Sequence, residues 1–296
     1  TGVHVSDMFF FLGRRSSGNG VLVAQYPPFN QFVGFTFRFG KQHHDVTVRW
    51  DLERSFKRRE EYRLDPLVVK DGAIAELLPA YAAQLSSMMR IAQNAVPRTG
   101  WRTGNENVTP DRIHSNIASA KKKLLQFEFF LIDGGYAAAA GDWLTLNDAF
   151  KDRMAEISRA VRAAGAVPGL RIAPFVISSK SPYFSKDGWV LKNRKGKPVR
   201  ASFSWDGDHD LYALDVTHPG VQDYVRSVIS TIRREWGMGL LVLDAMNAAS
   251  LPGARRDRTL SRAEVQKLGN SIVRSAAGRD LHIFCGAMPL SCAARF

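Results

Sequence analysis

The sequence predicts an α/β fold in which a β-rich region precedes an incomplete (β/α)8 barrel of TIM type, with about five β units. Residues 1–72 contain runs of β-branched and aromatic residues separated by Gly, Pro and Asn, which is typical of strands and turns. From residue 98 onward, short apolar runs alternate with amphipathic stretches, which indicates parallel strands joined by helices. The run Leu240–Leu243 is wholly apolar and is followed by one carboxylate, Asp244. Such a run indicates a strand buried on both faces, and in a barrel the ends of these strands form the floor of the active site.

Asp244 has two interpretations from its position alone. A carboxylate at the end of a buried strand is costly to desolvate, so a catalytic role or a charged partner would account for it. The same position also suits an Asp that caps the loop or helix that follows. The spacing alone favours neither interpretation.

Four strands are predicted in the N-terminal region. In one of them Val33, Phe35, Phe37 and Phe39 occupy alternate positions and so form a strongly apolar sheet face. We expect this face to need an opposing sheet, and we interpret residues 1–72 as the remnant of a β-sandwich domain. The predicted strands cover residues 21–26, 32–39, 46–52 and 62–69.

A linking helix is predicted to follow, within residues 73–97. Apolar residues recur at helical spacing between residues 74 and 91, and Pro97 ends the pattern. Pro79 lies inside this pattern, so it either kinks the helix or marks its true first turn.

The barrel region is predicted to occupy residues 98–296. A long polar segment, 178–210, separates its third strand from the helix that follows. Helices are predicted from residue 109, over 147–164, over 217–236, and from a capping box at 261 to about 277. The predicted strands cover residues 99–102, 127–133, 170–175, 240–244 and 282–287.

A closed barrel of this type has eight strands, so five strands would leave two unpaired edges and an open apolar interior. A soluble monomer rarely exposes an apolar surface of that size, and we therefore expect the chain not to be a stable free monomer. Either other protein chains supply the remaining strands, or neighbouring subunits cover the open faces of the barrel and the sandwich.

The chain is strongly basic: 41 Lys and Arg residues against 28 Asp and Glu residues give a net charge of +13. Such an excess suggests a polyanionic partner, with RNA as one candidate. Basic clusters lie at residues 121–123, 194–200 and 255–258. Taken singly, each cluster is most simply a solvated surface, and it is their number that suggests binding.

Other features bear on compartment and cofactors. No apolar run approaches the ~18 residues of a membrane span, and the first residues do not match a signal peptide core. Cys285 and Cys292 offer no disulfide framework, which favours a reducing, intracellular compartment; a mitochondrial one is the more specific expectation. The histidines are scattered and the glycines form no phosphate-binding loop, so we expect neither a metal nor a cofactor.

A series of short motifs carries a family resemblance. The motifs are GW (100–101), LIDGGY (131–136), GDWL (141–144), PGLRIAPF (168–175), LDVTHP (214–219), LD (243–244), ASLPG (249–253) and CGA (285–287). In this order they resemble the α-galactosidases of glycoside hydrolase family 36 (GH36), and LDPLVV (64–69) is similar to the end of that family's N-terminal β-supersandwich. The chain is identified as a degenerate and truncated member of the family.

The resemblance implies a chemistry and a set of site residues. GH36 enzymes hydrolyse terminal α-galactosides with retention, using a nucleophile and an acid/base carboxylate about 5–5.5 Å apart. By position Asp244 matches the nucleophile, and Asp133 matches the first of two adjacent aspartates that hold the sugar hydroxyls. Trp143 and Cys285 also match family positions for substrate binding.

Several positions depart from the family pattern. The second aspartate of the pair is Gly134, the lysine two residues before the nucleophile is Val242, and the tryptophan that lines the sugar pocket is Arg171. The aromatic-rich segment after the first barrel strand is replaced by residues 102–105, and the acid/base carboxylate belongs to a later strand that the sequence does not reach. Loss of a charged partner costs ~1.5–3 kcal/mol, and loss of a general acid lowers the rate ~10²–10⁴-fold.

These observations support two hypotheses. The first is a non-catalytic α-galactosidase-like protein that acts as a structural or interaction subunit of a larger, RNA-containing assembly. The second is a working α-galactosidase of the retaining type, present as a fragment or as one half of a split enzyme. Gly134, Val242 and Arg171 favour the first hypothesis, because each removes a group that the family chemistry uses.

Overall fold

The structure of the protein is a computed structural model that describes residues 2–13, 16–41, 43–90, 99–104, 108–123 and 126–295. It divides into two compact units. The sandwich unit comprises Thr1–Gln93, Arg258–Lys267 and Pro289–Phe296. The barrel unit comprises Asn94–Asp257 and Leu268–Met288.

Two three-stranded antiparallel sheets and one helix form the N-terminal part of the sandwich unit. The first sheet has the order β1-β4-β5 and the second the order β2-β3-β6. The elements are β1 (Gly2–Asp7), β2 (Phe9–Gly13), β3 (Asn19–Gln25), β4 (Phe32–Phe39), β5 (His44–Asp51), β6 (Leu67–Ala73) and α1 (Ile74–Met89).

The apolar face of β4 is covered within the chain itself. Val33, Phe35 and Phe37 are buried against Phe10 of β2, with partly buried side chains of β3 and β6 around them. The opposing sheet that this face is expected to need is therefore supplied by the chain itself. Its edge strand β2 is the run Phe9–Gly13, which the sequence analysis did not assign to a strand.

The helix α1 packs on the other face of the second sheet. Leu22 and Ala24 of β3 point away from β4 and cluster with Leu77, Tyr81 and Leu85 of the helix. Because successive side chains of β3 point to opposite faces of the sheet, this one strand contributes to the core on both faces. Pro79 lies inside α1, and the part of the predicted linking helix at residues 91–97 lies outside the described residues.

The barrel unit contains a five-stranded parallel sheet, and its strands are neighbours in chain order, as predicted. A short antiparallel pair, β10 with β11, flanks the long polar segment. The strands are β7 (Gly100–Arg102), β8 (Phe129–Ile132), β9 (Val167–Ile172), β10 (Val176–Ser178), β11 (Leu211–Ala213), β12 (Leu240–Leu243) and β13 (His282–Cys285). The helices of this unit are α2 (Pro110–Lys122), α3 (Met154–Ala163) and α4 (Pro219–Arg234), while α5 (Arg262–Ala277) begins in residues of the sandwich unit and ends in residues of the barrel unit.

Two predicted boundaries are wrong for local reasons. The helix predicted from Asn147 begins only at Met154, because the Asn147 side chain bonds to the backbone of Phe150 and Gly135, and Asp152 adopts a left-handed φ of 60°. The strand predicted over 62–69 begins only at Leu67.

The late start of β6 follows from Asp65 and Pro66. The buried Asp65 carboxylate accepts hydrogen bonds from the backbone N–H of Gln31 and from the side chain of Gln25. These two donors are therefore bonded without hydrogen bonds between strands. Pro66 has no N–H to donate to a neighbouring strand. Side-chain bonding therefore replaces the ladder over these residues.

No helix in the described part of the chain is long and apolar enough to cross a membrane.

The packing of the sandwich unit gives a testable prediction. Phe35→Ala removes a fully buried ring, so the free energy of unfolding should fall by about 3–5 kcal/mol in urea denaturation. The control is Val3→Ala in the neighbouring strand, where the side chain is 64% exposed and the expected change is within about 0.5 kcal/mol. Equal effects of the two substitutions would contradict the two-sheet core.

Candidate functional site

The candidate site lies at the C-terminal ends of the barrel strands. Asp133 directly follows β8, Asp244 directly follows β12, and Cys285 is the last residue of β13. Arg171 lies in β9 between them, and its register partner in β12 is Val242. Because parallel strands end at one edge of their sheet, the fold brings together the residues that the resemblance implies for the site.

Arg171 occupies the space between the two aspartates. Its Nε donates to Asp244 Oδ2 at 2.5 Å, and its Nη1 lies 3.4 Å from Asp133 Oδ1. The Arg171 Cζ atom lies 4.4 Å from the centroid of the Trp205 ring, a cation–π arrangement. A single guanidinium thus pairs with both carboxylates and covers the face of the indole.

Asp133 has a second cationic partner. Its carboxylate is 3% exposed, and Oδ2 lies 3.6 Å from Nε of the exposed Arg102. The Asp133 backbone N–H donates to the hydroxyl of Thr103, which follows β7. Both oxygens of this buried carboxylate therefore face arginine, which is the condition for burying a charge at tolerable cost.

The capping interpretation of Asp244 is not supported by its contacts. The short 3-10 helix Met246–Ser250 follows, and its N-cap is Ala245, with no side-chain cap hydrogen bond. The Asp244 carboxylate instead pairs with Arg171 and is 25% exposed. A Cβ atom at Gly286 would lie 2.6 Å from Asp244 Oδ1, so the glycine after β13 leaves room for this carboxylate.

A third carboxylate, that of Asp206, enters the site from the long polar segment. Asp206 Oδ2 accepts a hydrogen bond of 2.8 Å from the Gly135 N–H, and a Cβ atom at Gly134 would lie only 2.4 Å from Asp206 Oδ1. Burial raises the pKa of Asp206, while the Gly135 hydrogen bond and the charge of Arg171 oppose that rise. The Asp206 carboxylate therefore fills the space beside position 134 that the glycine leaves open.

Asp206 was missed in the sequence analysis, although one signal points to its local structure. Trp205 and Asp208 pair across a tight turn whose central residues, Asp206 and Gly207, both have positive φ. Asp-Gly is a typical sequence for such a hairpin turn. The turn can be read from the sequence, whereas its position beside Gly134 depends on contacts between distant parts of the chain.

Trp143 and Cys285 lie at the site with different surroundings. The Trp143 indole is buried and packs edge to face on Trp205 with a centroid distance of 4.7 Å, so it supports the ring that Arg171 covers. The Tyr136 hydroxyl beside it donates to the Arg171 carbonyl at 2.8 Å. Burial raises the pKa of the Cys285 thiol to about 12, which keeps the thiol protonated at neutral pH.

The described residues contain no group of three or more His, Cys, Asp or Glu side chains that could hold a metal ion. The ionisable groups at the site are instead arranged as arginine–carboxylate pairs.

Comparison with known proteins gives no matching family model but clear structural neighbours. The α-galactosidase of Thermus thermophilus, solved with p-nitrophenyl α-D-galactopyranoside, matches 97% of this chain with 26% sequence identity and a TM-score of 0.76. The α-galactosidase of Lactobacillus brevis matches 96% with 14% identity and a TM-score of 0.68. The GH36 α-galactosidase AgaA of Geobacillus stearothermophilus matches 100% with 15% identity and a TM-score of 0.63.

The matched region is only part of each of these enzymes. It covers 54% of the Thermus chain, 42% of the Lactobacillus chain and 46% of the Geobacillus chain. The protein thus spans about half the length of the α-galactosidases whose fold it shares.

The contact between position 134 and Asp206 gives a second prediction. Gly134→Ala should lower the free energy of unfolding by roughly 1 kcal/mol, because the new Cβ displaces the Asp206 carboxylate from its hydrogen bond with Gly135. In the double variant Gly134→Ala/Asp206→Ala the carboxylate is absent, so the loss should be smaller than the sum of the single losses by at least about 0.5 kcal/mol. Urea denaturation of the four proteins measures this coupling, and additive losses would mean that the two residues are not in contact.

Proposed function

Because the chain has the fold of the GH36 α-galactosidases, we propose that it is a non-catalytic relative of these enzymes that acts as a structural or interaction subunit of a larger assembly. The observation that carries this proposal is the Arg171 guanidinium, which pairs with Asp244 and Asp133 and covers Trp205. Asp244 and Asp133 are the groups that the resemblance implies for the sugar, and the face of Trp205 beside them could stack on a sugar ring.

The chemistry of a retaining glycosidase requires a nucleophilic carboxylate that is free to attack the anomeric carbon. Oδ2 of the Asp244 carboxylate accepts a short charge-assisted hydrogen bond from Arg171, which lowers the nucleophilicity of the group and places a guanidinium beside it. A substrate would have to displace this hydrogen bond, at a cost of about 1.5–3 kcal/mol, and also the contact with Asp133. These costs oppose substrate binding before any chemistry begins.

The other departures act in the same direction. Gly134 supplies no side chain to a sugar hydroxyl, and Val242 supplies an apolar one where the resemblance implies a lysine. The Trp205 face, which could stack on a sugar ring, carries the Arg171 cation. These features therefore support the proposal that the site has kept its fold but no longer binds and hydrolyses a sugar.

The competing proposal is a retaining α-galactosidase acting on terminal α-galactosides. One observation favours it: the Asp206 carboxylate reaches the space beside Gly134 and so could replace the missing second aspartate as an acceptor for a sugar hydroxyl. One assay separates the two proposals.

The third prediction concerns hydrolysis. The purified chain should release no aryl group from p-nitrophenyl α-galactoside above the rate of the buffer, even at high protein concentration and long incubation, because Arg171 pairs with the Asp244 carboxylate at the nucleophile position. The matched control is Asp244→Asn, which should be indistinguishable from the wild type. Turnover by the wild type that Asp244→Asn abolishes would overturn the non-catalytic proposal in favour of the enzyme.

The proposed assembly is supported by the edges of the barrel sheet and by the charge. In the described residues β7 and β13 each pair with a strand on one side only, and every residue of β13 is partly exposed. The net charge of +13 favours a polyanionic component such as RNA. Cys285 and Cys292 are both free thiols, which supports the proposed intracellular location, with a mitochondrial one as its more specific form.

The fourth prediction concerns the isolated chain. Light scattering during size-exclusion chromatography should show that the isolated chain self-associates, because partner chains are proposed to cover the edges of β7 and β13. A monodisperse monomer over the range of protein concentrations measured would contradict the proposed dependence on partners.

A further inference from the structure

The long polar segment contains a basic hairpin, residues 190–200, that the candidate site does not use. Lys192 pairs with Pro198 across the hairpin and with Ala254 on its other side. Four cations, those of Lys192, Arg194, Lys195 and Lys197, lie within one short turn, and all four residues are exposed.

The turn of the basic hairpin is held by Asn193. Its side-chain oxygen accepts hydrogen bonds from the backbone N–H groups of Lys195 and Lys197, at 2.9 and 3.1 Å. Its backbone N–H donates to the Lys197 carbonyl at 2.8 Å, and its carbonyl accepts from Gly196 at 2.9 Å. The four cations are therefore carried on an ordered turn, so little backbone entropy is lost when a ligand binds.

The cations of the hairpin differ from their neighbours in being unpaired. Within the described part of the chain, no ion pair involves Lys192, Arg194, Lys195 or Lys197. By contrast, Arg200 at the base of the hairpin pairs with Asp210, and Lys180 pairs with Asp208. The turn thus carries four exposed cations that no ion pair among the described residues neutralises.

A second basic pair, Arg255 and Arg256, follows the residue that bridges to the hairpin, Ala254. Arg255 is buried, and its guanidinium donates to the carbonyls of Leu251 and Gly253, so it stabilises its own loop. Arg256 is exposed, and it lies two residues after Ala254, the bridge partner of Lys192.

We infer that the basic hairpin, together with Arg256, binds the sugar-phosphate backbone of a nucleic acid. This inference rests on the polyanionic partner of the proposed function and assigns it a site. Unpaired lysines and arginines on an ordered surface release counterions when they neutralise phosphates, which is the main source of affinity in such contacts. The hairpin carries no aromatic side chain to stack on a base, so the binding should be insensitive to sequence.

The composition of the turn argues against two other occupants. Residues 192–198 contain no large apolar side chain that could insert into a membrane interface. Lysine is depleted in the cores of protein–protein interfaces, whereas interfaces with nucleic acids are polar and strongly positive. A phosphate backbone is the partner that this surface fits best.

The test compares two variants that lose the same charge. Arg194→Ala/Lys195→Ala removes two cations from the hairpin, and Lys121→Ala/Lys122→Ala removes two from the exposed last turn of α2. Binding of a fluorescently labelled 20-base-pair RNA duplex of mixed sequence is measured by anisotropy from low to moderate salt. Thermal unfolding of each variant checks that it remains folded.

The hairpin variant should bind the duplex roughly tenfold more weakly at about 0.1 M salt, with a shallower dependence of log affinity on log salt by roughly 1.5–2 units. The α2 variant should lose much less affinity. Equal weakening by both variants would show that net charge alone drives binding and would overturn the hairpin as the site. No binding by the wild type would overturn both the inference and the nucleic-acid partner, while the hydrolysis assay would still test the non-catalytic proposal.

Discussion

Three carboxylates lie close together where the barrel strands end, and the positive charge of the Arg171 guanidinium compensates their negative charge. Asp133 is almost fully buried, and Asp244 is three-quarters buried. Asp206 belongs to a hairpin that is distant in the sequence, and its carboxylate accepts a hydrogen bond from Gly135. Arg171 contacts the first two, and its charge opposes the rise in pKa that burial causes in Asp206. Removing one partner of such a pair leaves an uncompensated charge that costs about 3–5 kcal/mol. The fold at this edge therefore depends on the residue that occupies the proposed remnant of the sugar site.

The residues that depart from the family pattern match one another in size and in charge. Arg171 and Val242 are register partners on neighbouring parallel strands, so a lysine at 242 would lie beside the arginine and repel it. Gly134 leaves the space that Asp206 fills, and Trp205, the residue before Asp206, stacks on Arg171. Each change thus makes room for another or balances its charge, which agrees with the proposal that this site no longer binds a sugar.

The sequence predicts the site where the argument is local and fails where it depends on distant contacts. Asp133 and Asp244 could be placed together because each directly follows an apolar strand, and parallel strands share one edge. The pairing of Arg171 with both could not be foreseen, because it depends on a side-chain direction. The turn that carries Asp206 can be predicted from the sequence, whereas the path of the chain that brings Asp206 beside Gly134 cannot.

The strand Phe9–Gly13 was missed because its apolar residues do not alternate with polar ones, and this strand completes the second sheet of the sandwich. Charge counting was similarly incomplete, since it cannot tell the buried Arg255 from the exposed Arg256.

The central claim, that Arg171 occupies the place of the sugar, can be measured directly. A crystal structure of the protein grown with a high concentration of galactose should show the Arg171 guanidinium between Asp133 and Asp244, against Trp205, with no sugar at this edge of the sheet. A galactose ring bound to Asp244 and Asp133, with Arg171 turned away from both carboxylates, would contradict the claim.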